Sequence, residues 1–362
     1  MPASRSLWFA ALLVVAITSP ACSGGSSSGV PSPAGAATTP PATAPTASPR
    51  SSATATATAS TAAPVASATP TAAATTTSST PYTCPAATTS SGTLDCTTLP
   101  LDDLKYSTVG AQVGSVYLCN APSSGSPIIS SAPWIDSANN TWDVTKKVAV
   151  QGAAGWPGTF GETLSSDGAT RTVTSGGVPI SPYTTGTYPI AASDPAYAYD
   201  RNPNRIAGHS IDFTFAATPT ANSTPACMAS GGTIGVTLTG VAIFNAFDAH
   251  GYDGAAREEQ DACHGHPDQS STYHYHGFIQ TCSNDAGSLT ANSSLLGYAL
   301  DGFGIYGPWY DGKILTSADL DVCHGTTSAV MWDGKLTSIY HYVSTYDFPY
   351  TIGCFRGTPI DT

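Results

Sequence analysis

The hydrophobic and polar positions divide the chain into a segment without periodicity and a region of short strand-like runs. From residue 23 to about residue 90, nearly every position is Ala, Thr, Ser, Pro or Gly. Such a composition cannot bury enough apolar surface to fold. Beyond it, short runs alternate or are rich in β-branched residues, and turn-forming residues bound them. These runs are Ser115 to Leu118, Lys147 to Gln151, Arg171 to Thr174, Ile211 to Phe215, Thr233 to Phe244 and Leu295 to Leu300.

Helical periodicity is weak throughout the chain. The best short helix candidate is Gly254 to Cys263, and Thr316 to Leu320 fits a single turn capped by Thr316 or Ser317. The pattern therefore predicts a mainly β fold. We expect one disulfide-stapled, β-rich domain over residues 95–362, sandwich or barrel-like, with a few short helices and a disordered tether before it.

The N-terminus has the features of an export signal. Arg5 provides a short basic region, and Leu7 to Ile17 is apolar but too short to span a bilayer comfortably. Ser19-Pro20-Ala21 before Cys22 resembles a bacterial lipoprotein cleavage site, although an aliphatic residue is usual where Ser19 stands. Ordinary signal-peptide cleavage nearby is the alternative.

This interpretation sets the predicted domains and location. Residues 1–21 are the lipoprotein-type signal peptide, Cys22 is the lipidated residue, 22–94 are a disordered linker rich in Ala, Thr, Ser and Pro, and 95–362 are the folded domain. We expect an exported protein of the cell envelope or cell surface, held by its lipid anchor. A secreted protein is the alternative.

Charge is confined to the folded region. All 24 acidic residues lie at or after Asp95, whereas Arg5 and Arg50 leave only 10 of the 12 basic residues there, so this region has a net charge of −14. An acidic surface repels nucleic acid and anionic lipid. We therefore expect no nucleic-acid partner and no membrane contact apart from the lipid anchor; other partners remain unspecified.

The histidines are concentrated around Tyr273-His274-Tyr275-His276. In a strand, His274 and His276 point to one face, and Tyr273 and Tyr275 point to the other. Two imidazoles on one face are half of a metal site or one wall of a polar pocket.

A second sequence pattern repeats around this stretch. Asp261-Ala262-Cys263-His264-Gly265, then Tyr-His-Tyr, then Cys282, recurs as Asp321-Val322-Cys323-His324-Gly325, then Tyr340-His341-Tyr342, then Cys354. With Cys22 set aside, eight of the nine cysteines remain, which permits four disulfides in an exported chain. The repeat predicts Cys263–Cys282 and Cys323–Cys354; exchange between the units is the alternative. Cys119 with Cys227 and Cys84 with Cys96 would complete the set.

Several blocks spread over 95–362 resemble the YHYH domain family of bacterial exported proteins. They include Leu99-Pro100-Leu101, Asp194-Pro195-Ala196-Tyr197, Tyr273 to His276, Gly297 to Pro308 and Cys354 to Pro359. The resemblance implies an exported domain of this family and does not specify a reaction.

Metal binding is the sharpest hypothesis for the histidines, because neutral imidazole is a common ligand of zinc and copper. The candidate ligands are His264, His266, His274, His276, His324 and His341. The candidate pocket or orienting residues are Tyr273, Tyr275, Asp301 and Tyr306. Ca²⁺ at Asp248 to Gly254 is a weaker hypothesis, since a turn explains the same residues.

Two functions follow from this sequence. The first is a Zn- or Cu-binding domain centred on His274 and His276, with catalysis undecided and catalytic residues unknown. The alternative is a non-catalytic surface module that binds a small molecule, a glycan or a protein partner, with structural histidines. Buried imidazoles that bond to carbonyls or carboxylates would suit the alternative.

Overall fold

Strands dominate the part of the chain that the computed structural model describes, residues 82–361. They are β1 (Leu99–Pro100), β2 (Tyr106–Ser107), β3 (Val116–Tyr117), β4 (Ile135–Asp136), β5 (Thr141–Trp142), β6 (Ala154–Gly155), β7 (Phe160–Leu164), β8 (Thr170–Ser175), β9 (Thr184–Thr185), β10 (Ile211–Ala216), β11 (Thr233–Thr237), β12 (Ala242–Phe244), β13 (Gly265–Pro267), β14 (Tyr273–Tyr275), β15 (Leu295–Ala299), β16 (Gly304–Tyr306), β17 (Trp309–Tyr310), β18 (Lys313–Ile314), β19 (Gly325–Trp332) and β20 (Lys335–Val343). The prediction of a mainly β fold is confirmed.

Helices are few and short. The α-helix α1 spans Gly254–Arg257, and single 3-10 turns occur at Val144–Lys146, Pro195–Ala198 and Ser317–Asp319. Within residues 82–361, no helix has the length and apolar character needed to cross a membrane.

One eight-stranded mixed sheet forms the centre of the fold. Its strand order is β13-β14-β12-β11-β15-β16-β20-β19. In the described part this order is linear, so the sheet is open, with β13 and β19 at its edges, rather than closed into a barrel. A three-stranded sheet, β10-β8-β7, supplies Val173, Ile211 and Phe215 to a buried cluster that also contains Val236 and Tyr298 of the large sheet.

The large sheet contains two copies of one four-strand arrangement. In the first copy, the hairpin β11–β12 is followed outward by parallel β14 and then by β13. In the second, the hairpin β15–β16 is followed outward by parallel β20 and then by β19. The copies meet where β11 pairs antiparallel with β15. The strand order therefore reads the same from either edge.

Residue-level details repeat in the two copies. Asp261 Oδ1 accepts hydrogen bonds from the backbone N–H groups of Cys263 and Gly265, and Asp321 Oδ1 accepts the equivalent pair from Cys323 and Gly325. The phenol of Tyr273 donates to Asp261, and the phenol of Tyr340 donates to Asp321. The repeat predicted from sequence is thus a repeat of structure.

Glycines mark the junction of the two copies. The ladders β11–β12 and β15–β16 each shift register next to a glycine, Gly235 in one and Gly297 in the other. A Cβ on either glycine would collide with the opposing backbone carbonyl, that of Tyr298 or Val236. Only glycine lets β11 and β15 approach this closely.

Two predicted elements differ from the structure. Lys147 to Gln151 does not form a strand, because Val150 makes only an isolated bridge to Asp261. The helix predicted from Gly254 ends at Arg257. In both cases tertiary contacts override local preference: the buried Nζ of Lys147 binds the carbonyls of Ala255 and Glu258, which fixes the two segments to each other.

The packed region begins before the predicted boundary at residue 95. Tyr82 is buried, and its hydroxyl donates to the carbonyl of Asp261 at 2.8 Å. Thr88 and Thr93 form a bridge, and Cys84 is bonded to Cys96. Part of the segment predicted to be linker therefore packs with the domain, because a long-range contact and a disulfide offset its polar composition.

Four disulfides staple the domain. They are Cys84–Cys96, Cys119–Cys227, Cys263–Cys282 and Cys323–Cys354. The last two lie within the repeated units, as the repeat predicts, and the exchanged pairing is not found. The ninth cysteine, Cys22, lies outside the described residues.

Candidate metal centre

Three histidines at one edge of the large sheet have their rings together. His266 of β13 is directly opposite His274 of β14, and His276 follows two residues later. Because side chains alternate along a strand, His274 and His276 share a face, while Tyr273 and Tyr275 pack into the main core on the other. All three histidines are buried.

The ring nitrogens and one carboxylate have the spacing of metal ligands. One nitrogen from each histidine lies within 4.8 Å of the others, and Nε2 of His274 is 3.1 Å from Nε2 of His276. Glu258 Oε2 is 3.1 Å from Nε2 of His276 and 3.6 Å from Nε2 of His266. Nitrogens arranged tetrahedrally around zinc are about 3.3–3.4 Å apart. The residues present therefore fit a zinc-sized ion.

Hydrogen bonds fix which ring nitrogens face the centre. Nδ1 of His274 lies 3.0 Å from the carbonyl of Thr272, and Nδ1 of His276 lies 2.6 Å from the carbonyl of Asn245. A carbonyl only accepts, so each Nδ1 carries the proton and each Nε2 presents a lone pair. Two lone pairs at 3.1 Å repel each other unless a proton or a cation lies between them.

Further polar atoms at the centre lack partners. Three buried atoms here have no hydrogen bond to any of the described residues: both ring nitrogens of His266 and Oε2 of Glu258. Buried polar groups are nearly always satisfied, so a cluster of unsatisfied ones is typical of a site that binds a further partner such as an ion. A bound cation would satisfy Oε2 of Glu258 and one ring nitrogen of His266 together.

Burial keeps most of the centre uncharged at neutral pH. It lowers the pKa of His266 and His274 well below the ordinary histidine value, and neighbouring imidazoles lower it further. Burial also opposes protonation of His276, but the Glu258 carboxylate outweighs it, so the pKa of His276 lies above its ordinary value. A proton on His276, paired with Glu258, is thus the competing way to satisfy the centre.

The position of Glu258 depends on a buried lysine. Lys147 is 1% exposed, and its Nζ donates to the carbonyls of Ala255 and Glu258 and to Oε1 of Gln260. Burial lowers the pKa of Lys147 to about 8. Lys147 holds the turn after α1 in place and so directs the Glu258 carboxylate toward the histidines.

The histidines open onto a cleft of about 640 Å³. Phe244, which is stacked on His274 with ring centroids 3.9 Å apart, forms part of its wall. The polar lining consists mainly of carboxylates and amides: Asp200, Asn202, Asn204, Asp248, Glu258, Asp268 and Gln269. None of the described residues that line the cleft is Lys or Arg. The centre is therefore accessible through an acidic opening.

The other three predicted histidine ligands lie elsewhere. His264 is stacked between Tyr82 and Phe278, and His324 shares a hydrogen bond of 2.9 Å with Thr345. Both occupy left-handed turns, with φ of 63° and 68°, which turn their rings away from the neighbouring strand face. Of the six candidate ligands, the structure brings His266, His274 and His276 together.

The second copy of the fold lacks the full ligand set. His341 corresponds to His274, and its Nδ1 likewise bonds to the carbonyl two residues earlier, that of Ile339. Register places Thr326 opposite His341, where the first copy has His266, and Val343 stands at the position of His276. The equivalent site in the second copy therefore has a single histidine, His341.

The predicted pocket residues have structural contacts. Tyr273 donates to Asp261, and Tyr275 is fully packed beside it. Asp301 Oδ2 accepts from the phenol of Tyr342 and contacts no histidine. Tyr306 packs on His341 and donates to the carbonyl of Met331. Asp301 and Tyr306 therefore belong to the second copy, and the hydrogen bonds of Asp301 go to Phe303, Tyr342 and Gly357 rather than to a histidine.

The predicted calcium segment is a capped turn. Asp248 Oδ1 accepts from the N–H groups of His250 and Tyr252. Asp253 caps α1 through Ala256 and accepts from the phenol of Tyr350. The oxygens of Asp253 and one oxygen of Asp248 are thus engaged by the protein, as the turn interpretation predicts.

Sequence reasoning missed Glu258, Lys147 and Asn245. Glu258 was included in the helix candidate, and its role depends on the chain leaving the helix at that residue. Asn245 contributes only its backbone carbonyl, for which a sequence has no signal. The sequence does place an acidic residue shortly before Asp-x-Cys-His-Gly-His, and this proximity was the available indication that a carboxylate could join the histidines.

Comparison with protein-family models gave a match over part of the chain. Residues 212–313 match the family model described as YHYH protein. The matched segment runs from β10 to the start of β18 and includes His266, His274, His276 and Glu258. No curated protein and no solved structure matches the chain.

Proposed function

We propose that the histidines of the Tyr-His-Tyr-His motif bind a transition metal in this chain, whose residues 212–313 match the YHYH protein family model. The site consists of His266, His274 and His276, with Glu258 as a fourth, oxygen ligand. The observation that carries the proposal is the convergence of three polar atoms: Nε2 of His274 and Nε2 of His276 are 3.1 Å apart, and Oε2 of Glu258 is 3.1 Å from the latter.

The donor set favours Zn²⁺ or copper. Imidazole nitrogen with one carboxylate suits both metals, whereas Ca²⁺ and Mg²⁺ prefer oxygen ligands. The eight cysteines of the described part are all in disulfides and offer no thiolate. With three histidines and a displaceable carboxylate, the metal could accept a ligand from the cleft.

Metal content tests the proposal. The full chain, expressed into an oxidising compartment and purified without chelator or His tag, is expected to hold about one zinc or copper ion. His274→Ala/His276→Ala should abolish retention, and Glu258→Gln should weaken affinity roughly 10- to 100-fold. His341→Ala, the equivalent position in the second copy, is the matched control and should retain the metal.

Absence of metal in the wild-type protein after addition of zinc and copper would contradict the proposal. The protein would then fit the alternative function, a non-catalytic module that binds a small molecule, a glycan or a protein partner. The His276–Glu258 pair favours this alternative, because a proton shared between them also satisfies the two side chains. In that case a chelator would leave the thermal unfolding of the protein unchanged.

The proposal includes export and lipid anchoring through Cys22. Four disulfides support export, since such bonds persist in oxidising compartments. Mass spectrometry of the membrane-extracted protein should find an acylated N-terminal Cys22, and Cys22→Ala should move the protein to the soluble fraction. An unmodified N-terminus elsewhere would contradict the anchor and support the secreted alternative.

A further inference from the structure

The charged side chains that line the cleft in front of the histidines are acidic. Asp200, Asp248, Glu258 and Asp268 line it, and none of the described lining residues is basic. The buried Lys147 has its ammonium group bound to the carbonyls of Ala255 and Glu258 and to Gln260. A ligand that enters this cleft therefore meets carboxylates, and no basic side chain among the described residues of its wall.

Asp248 differs from the other acidic residues of the wall. It is 2% exposed. Its Oδ1 atom holds the turn through His250 and Tyr252, but its Oδ2 atom has no partner among the described residues. A buried carboxylate oxygen without a donor is costly. Asp248 is one of the residues that line the cleft, so a donor on a molecule bound there is the available partner for this buried oxygen.

We propose that the ligand that enters this cleft and binds the metal is a neutral nitrogen base that donates a hydrogen bond to Asp248, and that anionic ligands are excluded. The inference rests on the proposed function, because it assumes a metal at the histidines. Amines and imidazoles belong to the accepted class, since they combine a metal-binding lone pair with N–H donors. Phosphates, carboxylates and small inorganic anions belong to the excluded class.

Asp248 is the specificity residue of this proposal. Its charge acts within a partly buried site, where the effective dielectric is lower than in water. For an assumed separation of about 7 Å and an effective dielectric of about 40, Coulomb's law gives about tenfold stronger anion binding when one negative charge is removed. Asp248→Asn is suitable because the amide keeps the oxygen that holds the turn.

The test uses the full chain loaded with one equivalent of Cu²⁺ at pH 7.5. Imidazole and azide are titrated separately, and the copper absorption and electron paramagnetic resonance spectra report binding. We expect Asp248→Asn to bind azide about tenfold more tightly than the wild type and imidazole equally or less tightly. Asp200→Asn should change azide binding in the same direction. Asp212→Asn, an exposed position outside the cleft, should change neither.

The outcomes separate this inference from the proposed function. If the wild-type chain takes up no copper, both fail, and the loading step shows this before any titration. If copper binds but azide affinity is the same in the wild type, Asp248→Asn and Asp200→Asn, the metal site stands and the charge-selective cleft is wrong. Tight azide binding by the wild type, without imidazole binding, would likewise overturn the inference alone.

Discussion

At the scale of single residues, His324 shows how the fold holds a histidine neutral. The Thr345 hydroxyl donates to the carbonyl of Asp347, so its oxygen accepts from Nε2 of His324. Nδ1 of His324 has no partner among the described residues. Protonation would place an N–H there without an acceptor, and burial lowers the pKa of His324 to about 3.

This pKa predicts an acid-sensitive contribution to stability. Between pH 6.5 and about 3, the unfolded chain protonates His324 and the folded chain does not, so folding stability falls as pH falls. His324→Asn removes the titrating group, and Asn tolerates the left-handed backbone at this position. The wild type should lose up to about 1.4 kcal/mol per pH unit more than the variant.

Denaturant unfolding of both proteins at several pH values between 3 and 7 measures the difference. The remaining buried histidines are common to both proteins and cancel in the comparison. Parallel curves over this interval would show that His324 is protonated equally in the folded and unfolded states.

The sequence also reaches its limit at the residue scale. Alternation along an extended strand was enough to predict that His274 and His276 share a face. It could not separate His266 from His264, because that distinction depends on the left-handed turn at His264. Nor could it find Glu258. The backbone of this residue is held in place by a buried lysine that lies more than a hundred positions earlier in the chain.

At the scale of elements, one disulfide-closed segment connects stability with metal binding. This segment contains both β13 and β14. Cys263–Cys282 encloses His264 to His276 with a sequence separation of 19, and Cys323–Cys354 encloses the equivalent part of the second copy with a separation of 31. Chain entropy predicts about 3–4 kcal/mol of stabilisation from each.

We expect the two disulfides to differ in their effect on the metal. Replacing either cysteine pair with serines should lower the free energy of unfolding by about 3–4 kcal/mol. Only Cys263→Ser/Cys282→Ser should also weaken zinc or copper affinity, because only this loop contains His266, His274 and His276. Denaturation curves and competition with a chromophoric chelator give the two quantities. Equal loss of affinity in both variants would contradict a centre confined to the first copy.

Elements were predictable where local pattern and tertiary pairing agree. The run Thr233 to Phe244 became the hairpin β11–β12, and Leu295 to Leu300 became β15, since both carry β-branched or apolar residues between turn signals. Lys147 to Gln151 has the same pattern but no neighbouring strand to extend along. Its side chains are used instead to hold the turn after α1. A sequence does not show which runs will find a partner.

At the scale of the whole molecule, the repeat around the histidines was predictable and its geometry was not. The recurrence of Asp-x-Cys-His-Gly and Tyr-His-Tyr indicated two related units. It did not indicate that each unit also includes a preceding hairpin, because β11–β12 and β15–β16 share little beyond a glycine at the bulge. The central ladder between β11 and β15 is a product of those hairpins.

That central ladder gives the sheet the form of a fused homodimer. If the two copies were separated at this boundary, each would expose an edge strand. Two identical copies would cover those edges by pairing with each other across a two-fold axis. In the second copy, Thr326 and Val343 stand where the first copy has His266 and His276. A protein assembled from two first copies should accordingly hold two metal ions.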